Sequence, residues 1–293
     1  FTGGKVDVSK NLKLYSLYFT TNWEPSILWD IEAGLRADYF NGDKVYNNLD
    51  PRLTIKYRLS ERSNLKFSGG VFHQYANRIP RLFFVSIWTS ADENLKGSSA
   101  EHLIVGYQRA ISNNIEFEVE AYFKRYNNIY SYNQTLIADV KTETYSDNNV
   151  PVYNSTKGLF NEGNGNSIGI EALVRKDIGA ITGWIAYSFA KTEYTINSIN
   201  KGKAFAPRHD RTHAINVVAN FDLDNIFNEL YNKPFIYPDK KWTLGFNFTF
   251  FSGQPITLPS SLYIANAAPD WDLNNTSIAI YPSGINEFRL PYY

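Results

Sequence analysis

The sequence of 293 residues contains no cysteine and no methionine. The absence of cysteine excludes disulfide frameworks, zinc–thiolate sites and thiol catalysis. Basic and acidic side chains balance at 29 each, so the chain has no general positive field of the kind that binds nucleic acid. It also lacks an apolar run near the roughly 18 residues that a spanning helix needs, which excludes the helical class of membrane proteins.

Aromatic residues are abundant, with 21 Tyr, 20 Phe and 6 Trp making up 16% of the chain. Such rings suit a boundary between an apolar and a wet phase, as in the aromatic girdles at membrane surfaces. Charged residues contribute 20% and apolar residues 43%, which is the ordinary balance of a folded chain. Because the first residue is Phe1, we expect a processed product or a fragment of a longer protein.

The hydrophobic pattern has a period of two residues, which is the period of a β-strand. Between residues 115 and 125, for example, apolar side chains alternate with Glu116, Glu118 and Glu120. The pattern predicts about ten strands, each close to the 9–11 residues that cross a bilayer at a tilt. They lie near 12–23, 28–39, 52–59, 64–75, 101–110, 115–125, 166–176, 181–193, 215–222 and 242–250.

The predicted connections alternate between short and long. Short ones fall near 24–27, 60–64, 112–114 and 177–179, and long ones near 40–50, 76–99, 131–165 and 194–211. One exception on the short side is 224–240, where 225–231 could form a helical turn. Outer-membrane barrels have this asymmetry, with short periplasmic turns and long extracellular loops. A soluble antiparallel sandwich also alternates, but it turns every 8–12 residues at both ends, and such long loops are uncommon in compact domains.

The sequence therefore predicts an all-β fold, an antiparallel transmembrane β-barrel, as one domain over residues 1–293. Several segments, in order, resemble the C-terminal part of the barrel in TonB-dependent outer-membrane receptors of the Bacteroidetes type. They are 29–39 with 51–59, 67–74, 101–107, 120–126, 165–171, 182–188, 209–216, 251–255 and 289–293. The ordered set, rather than any single motif, carries the resemblance, and it covers nearly the whole chain.

The resemblance implies that these strands belong to a barrel of about 22 strands, whose plug domain and last strands lie outside this sequence. Ten strands of a larger barrel leave two open edges, so the strands near 12–23 and 242–250 should not pair with each other.

In function, the resemblance implies an active transporter in the outer membrane of a Gram-negative bacterium, rather than an enzyme. Such a protein imports a scarce, bulky nutrient with energy from the TonB–ExbB–ExbD complex. The implied partners are outer-membrane lipids and the protein's own plug domain, with a surface lipoprotein as a further candidate, and no cofactor or nucleic acid is implied. Loops and plug jointly choose the substrate, so it stays open among siderophore-like chelates, oligosaccharides, peptides and cobalamin. A self-contained porin or an omptin-like barrel protease remains the alternative.

Charged side chains at the polar positions of the strands are candidates for lumen-facing residues that contact a plug. They are Arg36, Arg52, Glu116, Glu118, Glu120, Glu171 and Arg175. A lipid-facing Arg or Lys would cost roughly 2–4 kcal/mol at the membrane midplane. The alternative is cross-strand pairing that fixes register, worth about 0.2–1 kcal/mol for each pair. In that case Arg175 should face Glu116 and Glu118, and Lys56 and Arg58 should approach Asp30 and Glu32.

The loop at 76–99 carries a cluster of arginine and aromatic residues that are candidates for ligand binding. They are Arg78, Arg81, Phe83, Phe84 and Trp88. Aromatic rings with bidentate donors are common on ligand and partner surfaces, although such loops also pack on one another over a barrel mouth.

Two further segments resemble a catalytic site and a calcium loop, but each lacks residues that such a site needs. The segment 209–213 contains two histidines and an aspartate, but no second positioned carboxylate is evident for acid–base catalysis, so no catalytic residue is predicted. The segment 270–275 has oxygen ligands at alternate positions but lacks the Gly and Glu of a calcium loop, so no metal site is predicted.

Overall fold

The computed structural model describes residues 11–79, 87–132, 144–145, 151–152, 160–197, 199–233, 241–265, 277–282 and 284–292. Antiparallel strands dominate these residues. They are β1 (Lys13–Ser26), β2 (Trp29–Asn41), β3 (Val45–Ser60), β4 (Ser63–Gln74), β5 (Ala76–Ile79), β6 (Ile87–Ser90), β7 (Ser98–Ser112), β8 (Ile115–Tyr132), β9 (Thr144–Tyr145), β10 (Pro151–Val152), β11 (Phe160–Lys176), β12 (Ile181–Ile196), β13 (His213–Asp222), β14 (Thr243–Phe251), β15 (Pro255–Ile256), β16 (Pro259–Ala265), β17 (Ser277–Pro282) and β18 (Phe288–Arg289).

Ten of these strands form one sheet in the order β1-β2-β3-β4-β7-β8-β11-β12-β13-β14. Each of the strands predicted from the hydrophobic pattern is present in it. The remaining strands form two-stranded sheets, β5 with β6, β9 with β10, β15 with β18 and β16 with β17. Within the described residues β1 and β14 do not pair, so the sheet has two open edges, as predicted.

The sheet has a turn end and a loop end. At the turn end the connections span only 27–28, 61–62, 113–114 and 177–180, apart from a helix between β13 and β14. At the loop end they span 75–97, 133–159 and 197–212. The expected long loop near 40–50 is wrong, because β2 and β3 remain paired as far as Asn41 and Val45. The polar residues that suggested a loop are bonded instead: Asn48 donates to the Tyr75 hydroxyl at 2.6 Å, and Asp50 accepts from the His73 N–H at 3.1 Å.

The helix between β13 and β14 is α1 (Leu223–Tyr231), which confirms the helical turn predicted near 225–231. Asp222, the last residue of β13, caps it by accepting a hydrogen bond from the Asn225 N–H at 3.1 Å. Asn232 ends it in the left-handed conformation that favours Asn and Gly at this position. Among the helices of the described residues, none is long and apolar enough to cross a membrane.

The strand register gives the sheet two faces of opposite character. One row of directly opposed residues, from β2 to β13, runs Asp30, Lys56, Lys66, Gly106, Glu120, Glu171, Ser188 and Ala214. The next row, which must point the other way, runs Ile31, Ile55, Phe67, Val105, Ala121, Ile170, Phe189 and His213. We call these two sides the polar face and the apolar face.

The apolar face is open rather than covered. Large side chains such as Leu103, Ile170 and Phe246 are 57%, 49% and 50% exposed, whereas soluble monomers rarely expose wide apolar patches. The fully buried apolar side chains instead collect at the loop end, where Phe40 stacks on Tyr75 with ring centroids 4.8 Å apart. The usual arrangement of a soluble protein, with apolar side chains inside, does not apply to this sheet.

Candidate functional site

A cavity of about 650 Å³ lies at the loop end of the sheet. Its floor is made of Phe72, Ala100, Tyr126 and Tyr194, which lie in a single row of the polar face, with Gly165 in register between the two tyrosines. The other lining side chains are the aliphatic residues Ile129, Ile196 and Pro207 and a larger group that is aromatic, neutral polar or basic. That group consists of Tyr130, Phe205, Gln74, Asn77, Ser98, Ser99, Ser131, Asn286, His73, Arg208 and His209, and none of the lining residues is a carboxylate.

The floor depends on a glycine in β11. Tyr126 and Tyr194 meet edge to face above this strand, with ring centroids 6.3 Å apart and an interplanar angle of 76°. Gly165 lies between them in register, and a Cβ at this position would fall 2.5 Å from Cδ1 of Tyr194. The tyrosine ring therefore lies across the strand only because β11 has no side chain there.

One wall of the cavity is the segment 197–212, which Asp210 holds against the sheet. The Asp210 side chain is only 1% exposed; it accepts the Thr192 N–H at 2.9 Å and forms an ion pair with Arg289. Phe205 pairs with Tyr194 through two backbone hydrogen bonds of 2.8 and 2.9 Å. These contacts place His209 beside Tyr194, with ring centroids 5.9 Å apart.

The opposite wall is formed where β7 and β8 leave the sheet. The Ser98 hydroxyl donates to the Asn128 carbonyl at 2.6 Å, and the Asn128 amide donates to the Gly97 carbonyl at 2.9 Å. The Tyr130 hydroxyl donates to the Lys96 carbonyl at 3.0 Å. Burial raises the pKa of Tyr130 above its usual range and that of Tyr194 to about 12, so both hydroxyls remain neutral donors at physiological pH.

The structure places all seven charged residues predicted to share a face on the polar face of the sheet. In register, Arg36 and Arg52 lie opposite Asp50 and Gly34, while Glu120 lies opposite Glu171. Arg175 pairs with Glu116 at 2.8 Å, as the pairing hypothesis expects. The expectation for the neighbouring glutamate is wrong, since Glu118 lies opposite Leu173.

Several of these charges are engaged within the sheet itself. Lys66 of β4 reaches over Gly106 to Glu120 of β8 at 3.1 Å, and Arg36 donates to Asp38 at 2.8 Å. Arg52 lies over the ring of Phe72, 4.7 Å from its centroid. Glu118 and Glu171, by contrast, line a shallow depression together with Ser188 and Asn216. Cross-strand pairing thus accounts for part of the charge pattern, and the last two carboxylates remain open to a partner.

The ligand residues predicted in the loop at 76–99 are only partly covered by the structure. Arg78 lies opposite Trp88 in the β5–β6 hairpin, and the Trp88 side chain is 70% exposed. Arg81, Phe83 and Phe84, like the calcium-like segment 270–275, lie outside the described residues.

Sequence reasoning missed the tyrosine floor of the cavity. The available signal was a tyrosine at the polar positions of β8 and β12, near the loop end, on either side of a glycine-rich β11. Without the register, nothing connects Tyr126 with Tyr194.

In the segment 209–213, the polar side chains make structural contacts rather than a catalytic group. The Asp210 carboxylate binds Thr192 and Arg289 rather than a histidine, while Nδ1 of His213 lies 2.9 Å from the Tyr187 hydroxyl on the apolar face. Among the described residues there is also no cluster of three or more His, Asp or Glu that could hold a metal ion.

Comparison with known proteins identifies the fold. No protein-family model and no curated protein matches the sequence. Among solved structures, the chain is similar to the FrpB iron transporter from Neisseria meningitidis, F3-3 variant, with 12% identity and a TM-score of 0.56 over 85% of this chain and 34% of that one. It is also similar to FpvA from P. aeruginosa in a complex with a heterologous pyoverdine and iron, with 10% identity and a TM-score of 0.58 over 92% of this chain and 31% of that one.

At such identities the likeness is one of fold. It confirms the predicted class, an all-β antiparallel fold of the transmembrane-barrel type. The chain spans about a third of the length of the structures it matches, 34% and 31%.

Proposed function

We propose that this chain is part of the barrel of a TonB-dependent transporter, from the C-terminal part of a receptor of the Bacteroidetes type. The protein imports a scarce, bulky nutrient across the outer membrane of a Gram-negative bacterium, driven by the TonB–ExbB–ExbD complex, and is not an enzyme. Two observations support this proposal: the ordered set of motifs in the sequence, and the fold shared with a protein described as an iron transporter.

The dimensions of the apolar face support a membrane location. Aromatic residues border this face at both ends. Trp23, Trp29, Tyr57, Tyr107 and Trp242 lie at its turn end, and Tyr15, Tyr39, Tyr187 and Phe250 at its loop end. From Trp29 to Tyr39 the strand covers about 33 Å at about 3.3 Å per residue. At a tilt of about 40° this is a membrane depth of about 25 Å, the height of the apolar band of outer-membrane barrels.

With the apolar face in lipid, the polar face lines the lumen and the loop end is extracellular. A plug domain outside this sequence then meets Arg36, Arg52, Glu116, Glu120, Glu171 and Arg175, together with Glu118. Glu118 and Glu171, next to Ser188 and Asn216, are suited to accept hydrogen bonds from such a plug.

The cavity at the loop end is the ligand site of this proposal. Tyrosine rings offer flat faces to ring-shaped groups, while Gln74, Asn77 and Ser98 offer neutral hydrogen-bonding groups. Arg78, Arg81, Phe83, Phe84 and Trp88 remain further candidates for ligand binding in this proposal, and the exposed Trp88 is the one whose side chain the structure describes. A surface lipoprotein would contact the protein from this side.

The single observation that carries the proposal is the sheet itself. It has one charged face, and one apolar face bounded by aromatic rows at the spacing of a membrane. The test uses cells that express the full-length protein, supplied with labelled ferric siderophores, cobalamin, oligosaccharides or peptides. We expect uptake of one of these classes in cells with TonB and none in cells without it.

Matched variants connect uptake to the cavity. Tyr194→Ala, on the cavity floor, should lower ligand affinity at least tenfold. Tyr187→Ala, on the apolar face of the same strand, should leave it unchanged. Uptake independent of TonB, or free ion conduction by the purified protein in planar bilayers without removal of a plug, would overturn the proposal.

A further inference from the structure

Among the residues that the structure describes, helix α1 is the one large feature at the turn end of the sheet. The other turn-end connections are short and only join strands, whereas nine helical residues stand between β13 and β14. The helix leaves the sheet without a loop, because Asp222 both ends β13 and caps α1. Its position relative to the sheet is therefore set by the strand that leads into it.

The helix is amphipathic, and the last turn of its apolar side is exposed. The apolar residues recur at the spacing of one helix face, at Leu223, Ile226, Phe227, Leu230 and Tyr231. Leu230 and Tyr231 are 68% and 63% exposed. The other side carries acidic and amide side chains, at Asp224, Asn225, Asn228 and Glu229. A helix this short gains its stability chiefly from burying its apolar side, and the last turn of that side has no cover among the described residues.

The apolar side of α1 continues the apolar face of the sheet. Phe221 of β13 lies on that face, opposite Leu244. Two residues further on, the Leu223 N–H donates to the Trp242 carbonyl at 3.0 Å. Leu223 and Trp242 are therefore the next opposed pair on the apolar face, toward the turn end. The Trp242 N–H in turn donates to Asp224 at 2.6 Å. The helix is thus attached beside the aromatic row that borders the apolar face at its turn end.

We propose that α1 is an interfacial membrane helix that lies in the headgroup region of the periplasmic leaflet, with Leu230 and Tyr231 directed toward the acyl chains. This inference rests on the membrane location proposed above. Interfacial helices bury their apolar side about 5–10 Å into this region. The exposed Lys233 and Lys241 flank the helix, where lipid phosphates would lie. At nine residues the helix is about 13 Å long. A helix of this length can anchor the periplasmic rim of the barrel but cannot cross the membrane.

Site-directed spin labelling tests this arrangement, since the 293 residues contain no cysteine. Single variants Leu230→Cys and Glu229→Cys of the full-length protein, with any cysteine outside this sequence replaced by serine, are labelled with a nitroxide. They are reconstituted in vesicles of phosphatidylethanolamine and phosphatidylglycerol. Phe246→Cys, in the middle of the apolar face, serves as the lipid control. Collision with oxygen, which partitions into lipid, is compared with collision with a water-soluble nickel complex.

The expected ratio of oxygen to nickel collisions at residue 230 is close to that at 246 and several-fold above that at 229. If Leu230→Cys does not fold, Tyr231→Cys replaces it, with the same expectation. A water-like ratio at 230 with a lipid-like ratio at 246 overturns the helix inference alone. Water-like ratios at both positions overturn the membrane location, and so the proposed function.

Two other occupants of the apolar side would each give a different signal. Protection of residue 230 from both reagents would indicate a protein cover, such as the segment 234–240. Dipolar broadening would indicate a second copy of the chain. Either result overturns the inference, and neither changes the expectation for residue 246.

Discussion

Replacing Asp210 by alanine should release the segment 197–212 from the sheet. The Asp210 carboxylate is 1% exposed and Arg289 is 37% exposed. The carboxylate accepts the Thr192 N–H at 2.9 Å. The alanine variant would leave this N–H without its acceptor and the guanidinium without its counter-ion.

The size of the effect follows from these two losses. A buried N–H without a partner costs about 1–3 kcal/mol. The ion pair adds only about 1 kcal/mol, because water screens the partly exposed Arg289. Together they predict a loss of about 2–4 kcal/mol, which multiplies the open population of the segment by roughly 30 to 700, at tenfold for each 1.4 kcal/mol.

Hydrogen exchange measured by mass spectrometry on the full-length protein tests this value. We expect faster exchange in peptides that cover 197–212 and Thr192, with little change in β3 and β4. The control is Asp177→Ala, which removes a contact of 3.1 Å to Arg175 between side chains that are 59% and 47% exposed; its effect should stay below about 1 kcal/mol. Equal exchange in the two variants would show that Asp210 does not hold the cavity wall.

Three further predictions concern the floor of the cavity and the polar face. Gly165→Val should lower the free energy of unfolding in detergent by about 1–3 kcal/mol, since its Cβ meets the Tyr194 ring at 2.5 Å, whereas Gly245→Val, with its nearest atom at 3.6 Å, should have little effect. Burial raises the pKa of Tyr194 to about 12, so the neutral hydroxyl contributes to the stability of the folded protein fully below the unfolded pKa near 10, and this contribution is lost as the pH rises through about 12. Tyr194→Phe should abolish that part of the loss of stability at alkaline pH, as measured by denaturant unfolding. Lys66→Ala should lower the free energy of unfolding by about 0.2–1 kcal/mol, because the Lys66 and Glu120 side chains are 45% and 25% exposed. In about 1 M salt the two proteins should be equally stable, since the Debye screening length is then only about 3 Å.

The sheet could be predicted from the sequence because each strand separates two environments. Where Glu116, Glu118 and Glu120 alternate with apolar residues, a period of two is the only regular structure that keeps all the charges on one side. The order of the strands followed as well, since consecutive strands of an antiparallel meander are neighbours. These features depend on local pattern, which a single sequence contains in full.

The ends of β2 and β3 could not be predicted in this way. Residues 45–50 carry polar side chains on both faces, as a loop does. They form a strand because partners from elsewhere in the chain satisfy them: Tyr75 accepts from Asn48, and His73 donates to Asp50. Beyond the apolar band, strand length depends on hydrogen bonds between distant segments, and the local pattern contains no record of them.

The cavity shows the same limit for the candidate site. The sequence contains Tyr126, Gly165 and Tyr194 as isolated residues on three strands, and only the register places them in one row. The aromatic loop at 76–99 was the more visible candidate because its residues are adjacent in the sequence. A site assembled across strands has no such local signal.

The polar face also changes character along the strands, and this gradient bears on the proposed function. The row through Lys66, Glu120 and Glu171 is charged. The row through Tyr126 and Tyr194, nearer the loops, is aromatic, and the cavity above it has no carboxylate in its lining. On β8 the two rows are six residues apart, or about 20 Å. In the proposed transporter, the aromatic row lies where the ligand would first be held from the outside. The transporter also needs polar contacts deeper in the lumen that a plug can break and remake when it moves. Mutations in the charged row should therefore change the rate of uptake, and mutations in the aromatic row should change the affinity for the ligand.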